Sequence, residues 1–325
     1  MRQTSYAAAM VEALRTSLAT DPHVSLIGSY VLGLGPQRVL MDAIRAEFPD
    51  RLYDPPTSEA ALVSLGAGAA MGGARPFVDL GTGSFSYVGW SPLVNEAAVA
   101  RYMSNGQLRV PVVYHMLHGL RGGGAAQHSH SPQAMLWNAA GLEIVLPSSP
   151  YDVKGLLRSA IKSDNPTVFI NHARLMDIEG DVPEEDYAIP FGRADIKRPG
   201  RDVTIVATSF VVHAALSAAK QLADEGIEAE VVDPRTLVPF DHATLLDSVR
   251  RTGRLVVVDE TNLSCGVAAE VAAIVAEEGF AFLRAPIVRV TRPDVPTPFS
   301  KPLEDAITPT ADKVAAAVRR VFWQG

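Results

Sequence analysis

Glu59 stands where a carboxylate can hold a proton at a fixed point. It follows the stretch Asp54-Pro55-Pro56-Thr57-Ser58 and opens the apolar run Ala60-Ala61-Leu62. Pro55 and Pro56 cannot sit inside a helix, and Ser58 is a good N-cap, so Glu59 is expected in the first turn of a helix over Glu59–Gly73. The plain role of such a glutamate is to favour the positive end of the helix dipole. Its company suggests more. A glycine- and serine-rich loop over Gly81–Ser86 contains Phe85, and a second loop over Gly119–His130 ends in Gln127-His128-Ser129-His130. In parallel α/β sheets ligands bind at the carboxyl ends of strands, where these three loops are expected.

The run from Gly122 to Pro132 places flexible small residues before two histidines and two serines, Ser129 and Ser131. Three readings are open. His128 and His130 act as general acids or bases; they lie on the surface ahead of a helix capped by Ser131; or they bind zinc, for which no HExxH sequence or cysteine partner is present. Gly66-Ala67-Gly68 and Gly81-Thr82-Gly83 look like fragments of a dinucleotide fingerprint. Neither opens a helix after a strand at the full spacing. The glycines from Gly66 to Gly73 are expected to let one helix pack closely on another. Neither a Walker A sequence nor a G-x-S-x-G nucleophile elbow occurs. Cys265 reads as a small packed residue.

The elements that must position these groups alternate. Thr4 can cap a first helix with Ala8, Val11, Leu14 and Leu18 on its apolar face. Strands are expected at His23–Gly28, Arg75–Leu80, Val110–Tyr114, Leu142–Leu146 and Thr167–Asn171, and helices at Arg38–Glu47, Leu93–Met103 and Tyr151–Ser163. Residues 172–200, acidic and proline-bearing, suit a linker. Alternation then restarts with strands at Val203–Thr208, Ile227–Val232, Leu255–Asp259 and Ile287–Thr291, and helices stopped by Gly226, Gly253 and Gly279 before a last helix at Ala311–Phe322. The pattern is α/β with two doubly wound domains, residues 1–185 and 186–325.

The bulk numbers agree. The chain has 325 residues, is 47% hydrophobic and carries a net charge of -7, enough apolar material for two cores and the wrong sign for nucleic acid or an anionic membrane. No apolar run approaches the ~20 residues of a membrane span, and the N-terminus lacks a signal-peptide core. With one cysteine there is no disulfide framework, and a cytoplasmic location is expected.

These residues, taken in order, resemble the β subunit of the thiamine diphosphate-dependent E1 component of 2-oxo acid dehydrogenases, the pyruvate, branched-chain and acetoin types of the transketolase-like superfamily. In the first half the resemblance rests on Ser58-Glu59-Ala60 with the glycine-rich helix, on Val94-Asn95-Glu96-Ala97-Ala98, on Gln127-His128-Ser129 and on Asn165-Pro166. In the second it rests on Val232-Asp233-Pro234-Arg235-Thr236-Leu237, on Gly253 through Glu260 and on Arg289-Val290-Thr291. It implies an N-terminal transketolase-like pyrimidine-binding domain and a smaller C-terminal transketolase-type domain. It implies thiamine diphosphate held between an α and a β subunit, likewise an α2β2 heterotetramer. The α subunit carries Mg²⁺ and the diphosphate on a Gly-Asp-Gly motif, which is absent from this chain. Glu59 would bond the aminopyrimidine N1′ and promote ylid formation, and Ser58 beside it would also contact the cofactor; Phe85 would pack on the pyrimidine; His128 would assist decarboxylation or transfer of the acyl unit from a 2-oxo acid to a lipoyl group on an E2 protein. A monovalent cation, K⁺, would sit on Ala160, Ile161 and Asn165.

The sequence departs from the family pattern at the expected mouth of the site. Ser29 and Tyr30 replace an acidic pair, Ser91 an acid, His115 an arginine, and His130 a glutamine. Tyr30, His115 and His130 are then the positions expected to meet substrate or acceptor, and a substrate other than plain pyruvate is expected. Ser131-Pro132 leans toward branched-chain members. Two alternatives stay open: a two-subunit transketolase or acyloin-forming enzyme with an aldehyde acceptor, and a non-catalytic scaffold subunit.

Overall fold

A computed structural model describes residues 1–28 and 38–323. The chain divides into two units, Met1–Gly119 with Gln127–Phe191, and Leu120–Ala126 with Gly192–Gly325.

The first unit begins with β1 (Arg2–Ser5) and α1 (Tyr6–Thr20), whose N-terminus is capped by Ser5, not Thr4: the Ser5 hydroxyl accepts from the Ala8 amide at 3.2 Å. Tyr6, Met10, Leu14 and Leu18 recur at helical spacing and are fully buried. There follow β2 (Val24–Ile27), α2 (Arg38–Glu47), β3 (Leu52–Tyr53), α3 (Glu59–Met71), β4 (Arg75–Thr82), α4 (Ala100–Met103), β5 (Val113–His118), α5 (Ala125–His128), α6 (Gln133–Trp137), β6 (Glu143–Val145), α7 (Pro150–Lys162), β7 (Thr167–His172) and β8 (Glu179–Val182). The unit's main sheet runs β6-β7-β5-β4-β2-β3, every pair parallel. A sheet covered on both faces calls for continuous apolar strands, and β7 is buried along its whole length.

Two expected features differ. The single helix over Leu93–Met103 is a π turn at Pro92–Ala97 followed by α4, because the Ala98 amide reaches back five residues to the Leu93 carbonyl. The expected domain division after residue 185 lies inside the first unit, which runs on to Phe191. Arg158 pairs with Asp186 at 2.7 Å, and the Ile189 amide donates to the Gly155 carbonyl at 3.0 Å, so this segment is packed on α7.

The second unit contains β9 (Asp195–Arg198), β10 (Val203–Ala207), α8 (Val211–Ala223), β11 (Ala229–Asp233), β12 (Thr236–Val238), α9 (His242–Thr252), β13 (Leu255–Asn262), α10 (Val267–Glu278), β14 (Val288–Arg292), α11 (Lys301–Ile307) and α12 (Ala311–Trp323). Its sheet has the order β14-β13-β10-β11-β9, parallel except at β9. The valines of β10, β11 and β13 pack with Ala215, Leu222 and Val318 in one core. Gly253 ends α9 in the left-handed conformation at φ 70°, as expected of a glycine stop. Cys265, expected to be packed, is exposed.

Candidate active site

Glu59 is the first residue of α3, and Ser58 is its N-cap. The cap is made by backbone alone: the Leu62 amide donates to the Ser58 carbonyl at 2.9 Å, while the Ser58 side chain is exposed and makes no capping bond. Glu59 is half-buried, and among the described residues its carboxylate has no hydrogen-bond or ion-pair partner. Small residues bring backbone close at this turn. A Cβ on Gly89 would lie 3.1 Å from the Glu59 carbonyl oxygen and 2.8 Å from Val63 Cγ2. Lower in the helix, a Cβ on Gly66 would lie 2.6 Å from Val78 Cγ2. The α3 glycine therefore serves helix-on-sheet contact, where helix-on-helix packing was expected. The Tyr114 hydroxyl donates to the Val63 carbonyl at 3.0 Å, and burial pushes its pKa upward.

Phe85 lies in a 3₁₀ turn over Gly83–Tyr87, directly after β4. Its ring meets His128 edge to face, centroids 5.5 Å apart, and Tyr87 meets His130 in the same way at 5.4 Å. The Ser84 hydroxyl donates to the Gln127 carbonyl, and the Gly119 amide to the His130 carbonyl at 3.3 Å. Gly83 tucks under Pro132: a Cβ there would meet Pro132 Cδ at 3.1 Å and the Leu117 carbonyl at 3.2 Å. The loops after β4 and β5 are thus joined by two aromatic contacts and a hydrogen bond, with both imidazoles exposed. Ser131 does not cap α6; its hydroxyl faces His118 Nδ1 at 3.2 Å.

His115, expected at the mouth, is fully buried in β5. Its Nδ1 lies 3.3 Å from Asp79, its Nε2 lies 2.9 Å from the Asn171 amide, and its ring stacks on Phe77 at 5.2 Å. A ring with both nitrogens engaged inside a sheet does not reach substrate. Tyr30 and Ser29 lie outside the described residues. Ser91 is exposed.

The segment expected to hold a cation closes α7. Arg75 donates to the Ile161 carbonyl at 3.1 Å, to the Ser163 carbonyl at 2.9 Å and to Asp164 at 2.7 Å. The Ala160 carbonyl accepts from the Ser163 amide at 3.2 Å, and the Asn165 side chain bridges Arg101 and Glu143. The Ile161 and Ser163 carbonyls at this helix C-terminus thus face the Arg75 guanidinium, and the Ala160 carbonyl a neutral amide. Among the described residues no group of three His, Cys, Asp or Glu could hold a metal ion, and no helix is long and apolar enough to cross a membrane.

The residues that fix the site without being foreseen are Ser84 and Gly89. A small residue in a loop carries no signal of which distant backbone it will meet.

What these groups can do is hold a flat, partly apolar ligand against Phe85, present a carboxylate to a ring nitrogen, and place an imidazole at an open face. The Glu59 carboxylate, without a partner among the described residues, and the half-buried Phe85 fit the aminopyrimidine half of thiamine diphosphate. The chain has no diphosphate motif to fit the other half.

Known proteins place the chain plainly. Residues 2–177 match the family described as transketolase, pyrimidine binding domain, and residues 192–314 match transketolase, C-terminal domain. The chain is 43% identical over all of its length, and 99% of the other's, to the acetoin:2,6-dichlorophenolindophenol oxidoreductase subunit beta of Cupriavidus necator. It is 36% identical, over 99% of both chains, to the 2-oxoisovalerate dehydrogenase subunit beta of Bacillus subtilis, and 39% identical, over 97% of both, to the pyruvate dehydrogenase E1 component subunit beta of Rickettsia felis. Among solved structures it superposes on a split-gene transketolase, titled an inactive beta4 tetramer, with a TM-score of 0.80, 26% identity and 97% of both chains covered. The chain belongs to the transketolase-like family of E1 β subunits of thiamine diphosphate-dependent dehydrogenases.

Proposed function

We propose that this β subunit supplies the aminopyrimidine half of a thiamine diphosphate site that a separate α subunit completes with the diphosphate and Mg²⁺ sites, in an α2β2 assembly. The observation that carries this reading is the Glu59 carboxylate, held in the first turn of α3 and without a hydrogen-bond or ion-pair partner among the described residues. When bound, the cofactor supplies a carbon nucleophile for the substrate carbonyl and then an electron sink for decarboxylation. Glu59 holds a proton at the pyrimidine N1′. Phe85 packs on the pyrimidine and braces His128. His128, and beside it His130, move a proton at the substrate or acceptor oxygen.

The substrate is a 2-oxo acid and the acceptor a lipoyl group on an E2 protein. A second reading, an enzyme with an aldehyde acceptor or acting on acetoin, draws on the likeness to the acetoin subunit and to the split-gene transketolase. A monovalent cation, K⁺, would use the lone pairs of the Ala160 and Ile161 carbonyls that Arg75 and Ser163 leave over, with Asn165 beside them. The proposed location is cytoplasmic.

The test is purification of the chain from native extract with whatever co-elutes. A companion carrying Gly-Asp-Gly and a downstream Asn, and thiamine diphosphate-dependent acylation of a lipoyl domain, support the first reading. Product formed only with aldehyde acceptors supports the second. Absence of any companion, together with no binding of thiamine diphosphate and Mg²⁺, leaves the scaffold role.

A further inference from the structure

The glycine-rich stretch Leu120–Ala126 leads by continuous chain into Gln127 and His128, yet the first part of it carries no helix or strand. Its amides are met by carboxylates. Gly122 N–H donates to Glu304 Oε1 at 2.6 Å and Gly123 N–H to Glu304 Oε2 at 2.8 Å, while Leu120 N–H donates to Glu260. Gly122 and Gly123 have φ of 81° and 108°, a left-handed pair that turns successive amides toward one anion. Glu304 is 4% exposed and Glu260 3%. A buried carboxylate is costly unless its oxygens are bonded, and bonds from N–H to an ionised acceptor are roughly twice as strong as neutral ones. Arg121 lies between the clamped residues. Burial lowers its pKa against the opposing pull of Glu304, and its Nε and Nη2 are buried without a hydrogen-bond partner among the described residues. Glu304 is thus spent on the loop backbone rather than on the neighbouring cation. On the same helix Lys301 pairs with Asp305 at 2.7 Å in solvent, so Glu304 is the residue of α11 committed inward.

We propose that Glu304 is a positioning residue for His128: its carboxylate clamps Gly122 and Gly123 and so fixes the end of the segment from which the imidazole projects. The proposal rests on the role of His128 given above. A glycine-rich loop without such a clamp samples more backbone conformations than any other sequence of its length. His128, still held by Phe85 and by the Ser84 bond to Gln127, would then spend a smaller share of its time in its productive position. Removing the clamp lowers turnover without touching the groups that bind substrate.

The test compares Glu304→Ala, Glu304→Gln and the unchanged chain, each in its complex with the α companion. Amide hydrogen exchange over residues 119–128 reads the clamp, and exchange over α8 reports global stability. For Glu304→Ala we expect exchange in the loop faster by about a hundredfold with α8 unchanged, and kcat lower by about tenfold at unchanged KM, sizes set by the loss of two charge-assisted hydrogen bonds. Glu304→Gln keeps one acceptor oxygen and recovers part of both. Unchanged loop exchange in Glu304→Ala overturns the clamp. Fast loop exchange with unchanged kcat overturns the positioning role. If the unchanged complex shows no thiamine diphosphate-dependent activity, the proposed function fails, and the exchange comparison still decides the clamp by itself.

Discussion

The ring of Phe85 meets the imidazole of His128 edge to face, centroids 5.5 Å apart at 82°. One comes from the turn after β4, the other from the loop after β5, and the bond from the Ser84 hydroxyl to the Gln127 carbonyl ties the two backbones beside them. An aromatic pair of this kind adds about 0.5–1.5 kcal/mol beyond its buried area and fixes a ring plane. Phe85 remains half-buried in this contact.

Truncation of Phe85 separates the cofactor role from a core role. Phe85→Ala is expected to weaken thiamine diphosphate binding to the assembled complex by about tenfold, the scale of losing one aromatic contact, with the folded chain retained. Titration calorimetry checks it; unchanged affinity would assign Phe85 to packing alone.

Glu59→Gln keeps shape and loses the exchangeable carboxyl proton. Bound cofactor should then exchange its thiazolium C2 proton more slowly by roughly 10²–10⁴, the usual range for general acid–base groups, while binding changes by no more than a few-fold. Proton exchange followed by NMR after acid quench measures this directly. An unchanged rate removes Glu59 from the chemistry and favours the scaffold role.

His115 holds the centre of the first unit's sheet between Asp79, Asn171 and Phe77. Replacing it by Leu takes one hydrogen bond from Asp79, which still accepts from the Gly81 amide, and one from Asn171, which still accepts from the Tyr6 hydroxyl; each such bond is worth about 0.5–1.5 kcal/mol net. His115→Leu should lower the unfolding free energy in urea by a few kcal/mol on that scale and leave the KM for substrate unaltered in whatever complex still forms. A changed KM with full stability would restore His115 to the substrate site.

Asp259 gives the second unit a pH dependence whose sign follows from burial. The side chain is fully buried, and burial raises its pKa against the bonds from Thr208 and from the Thr261 amide at 2.7 Å. A carboxyl raised above its unfolded value contributes stability that is complete below about pH 3.9, the unfolded value, and is lost as pH rises through the folded one. Asp259→Asn keeps an acceptor for Thr261 and does not titrate. Its melting temperature relative to the unchanged chain should therefore climb from about pH 4 toward neutrality. A constant difference across that range contradicts the assignment.

Several features were legible in the residues because they depend on neighbours in sequence. The proline pair before Ser58 and Glu59 dictates where α3 starts, since a proline ring cannot continue a helix backward. The apolar periodicity of α1 and the valine-rich runs of β10, β11 and β13 declare one buried face and two buried faces respectively. The motif order from Ser58 to Arg289 carried the family. The cap of α1 moved by one residue, from Thr4 to Ser5, because adjacent hydroxyls give the same local signal.

Other features depended on contacts between residues far apart, and there the sequence was silent or misleading. His115 looked like a replaced substrate contact, but the register of β5 between β4 and β7 points it into the sheet, opposite Asp79 and Phe169. Nothing in the sequence says that Arg75, distant in the chain, donates to the Ile161 carbonyl. Gly66 is small because Val78 stands 2.6 Å from where its Cβ would be, and Gly89 because the first turn of α3 does. Glu304 is one acidic residue among many until the fold sets two glycine amides against it. Local sequence specifies helix ends and buried faces through short-range sterics and hydropathy. Which polar groups satisfy one another inside the protein is decided only when strand order and register bring them together.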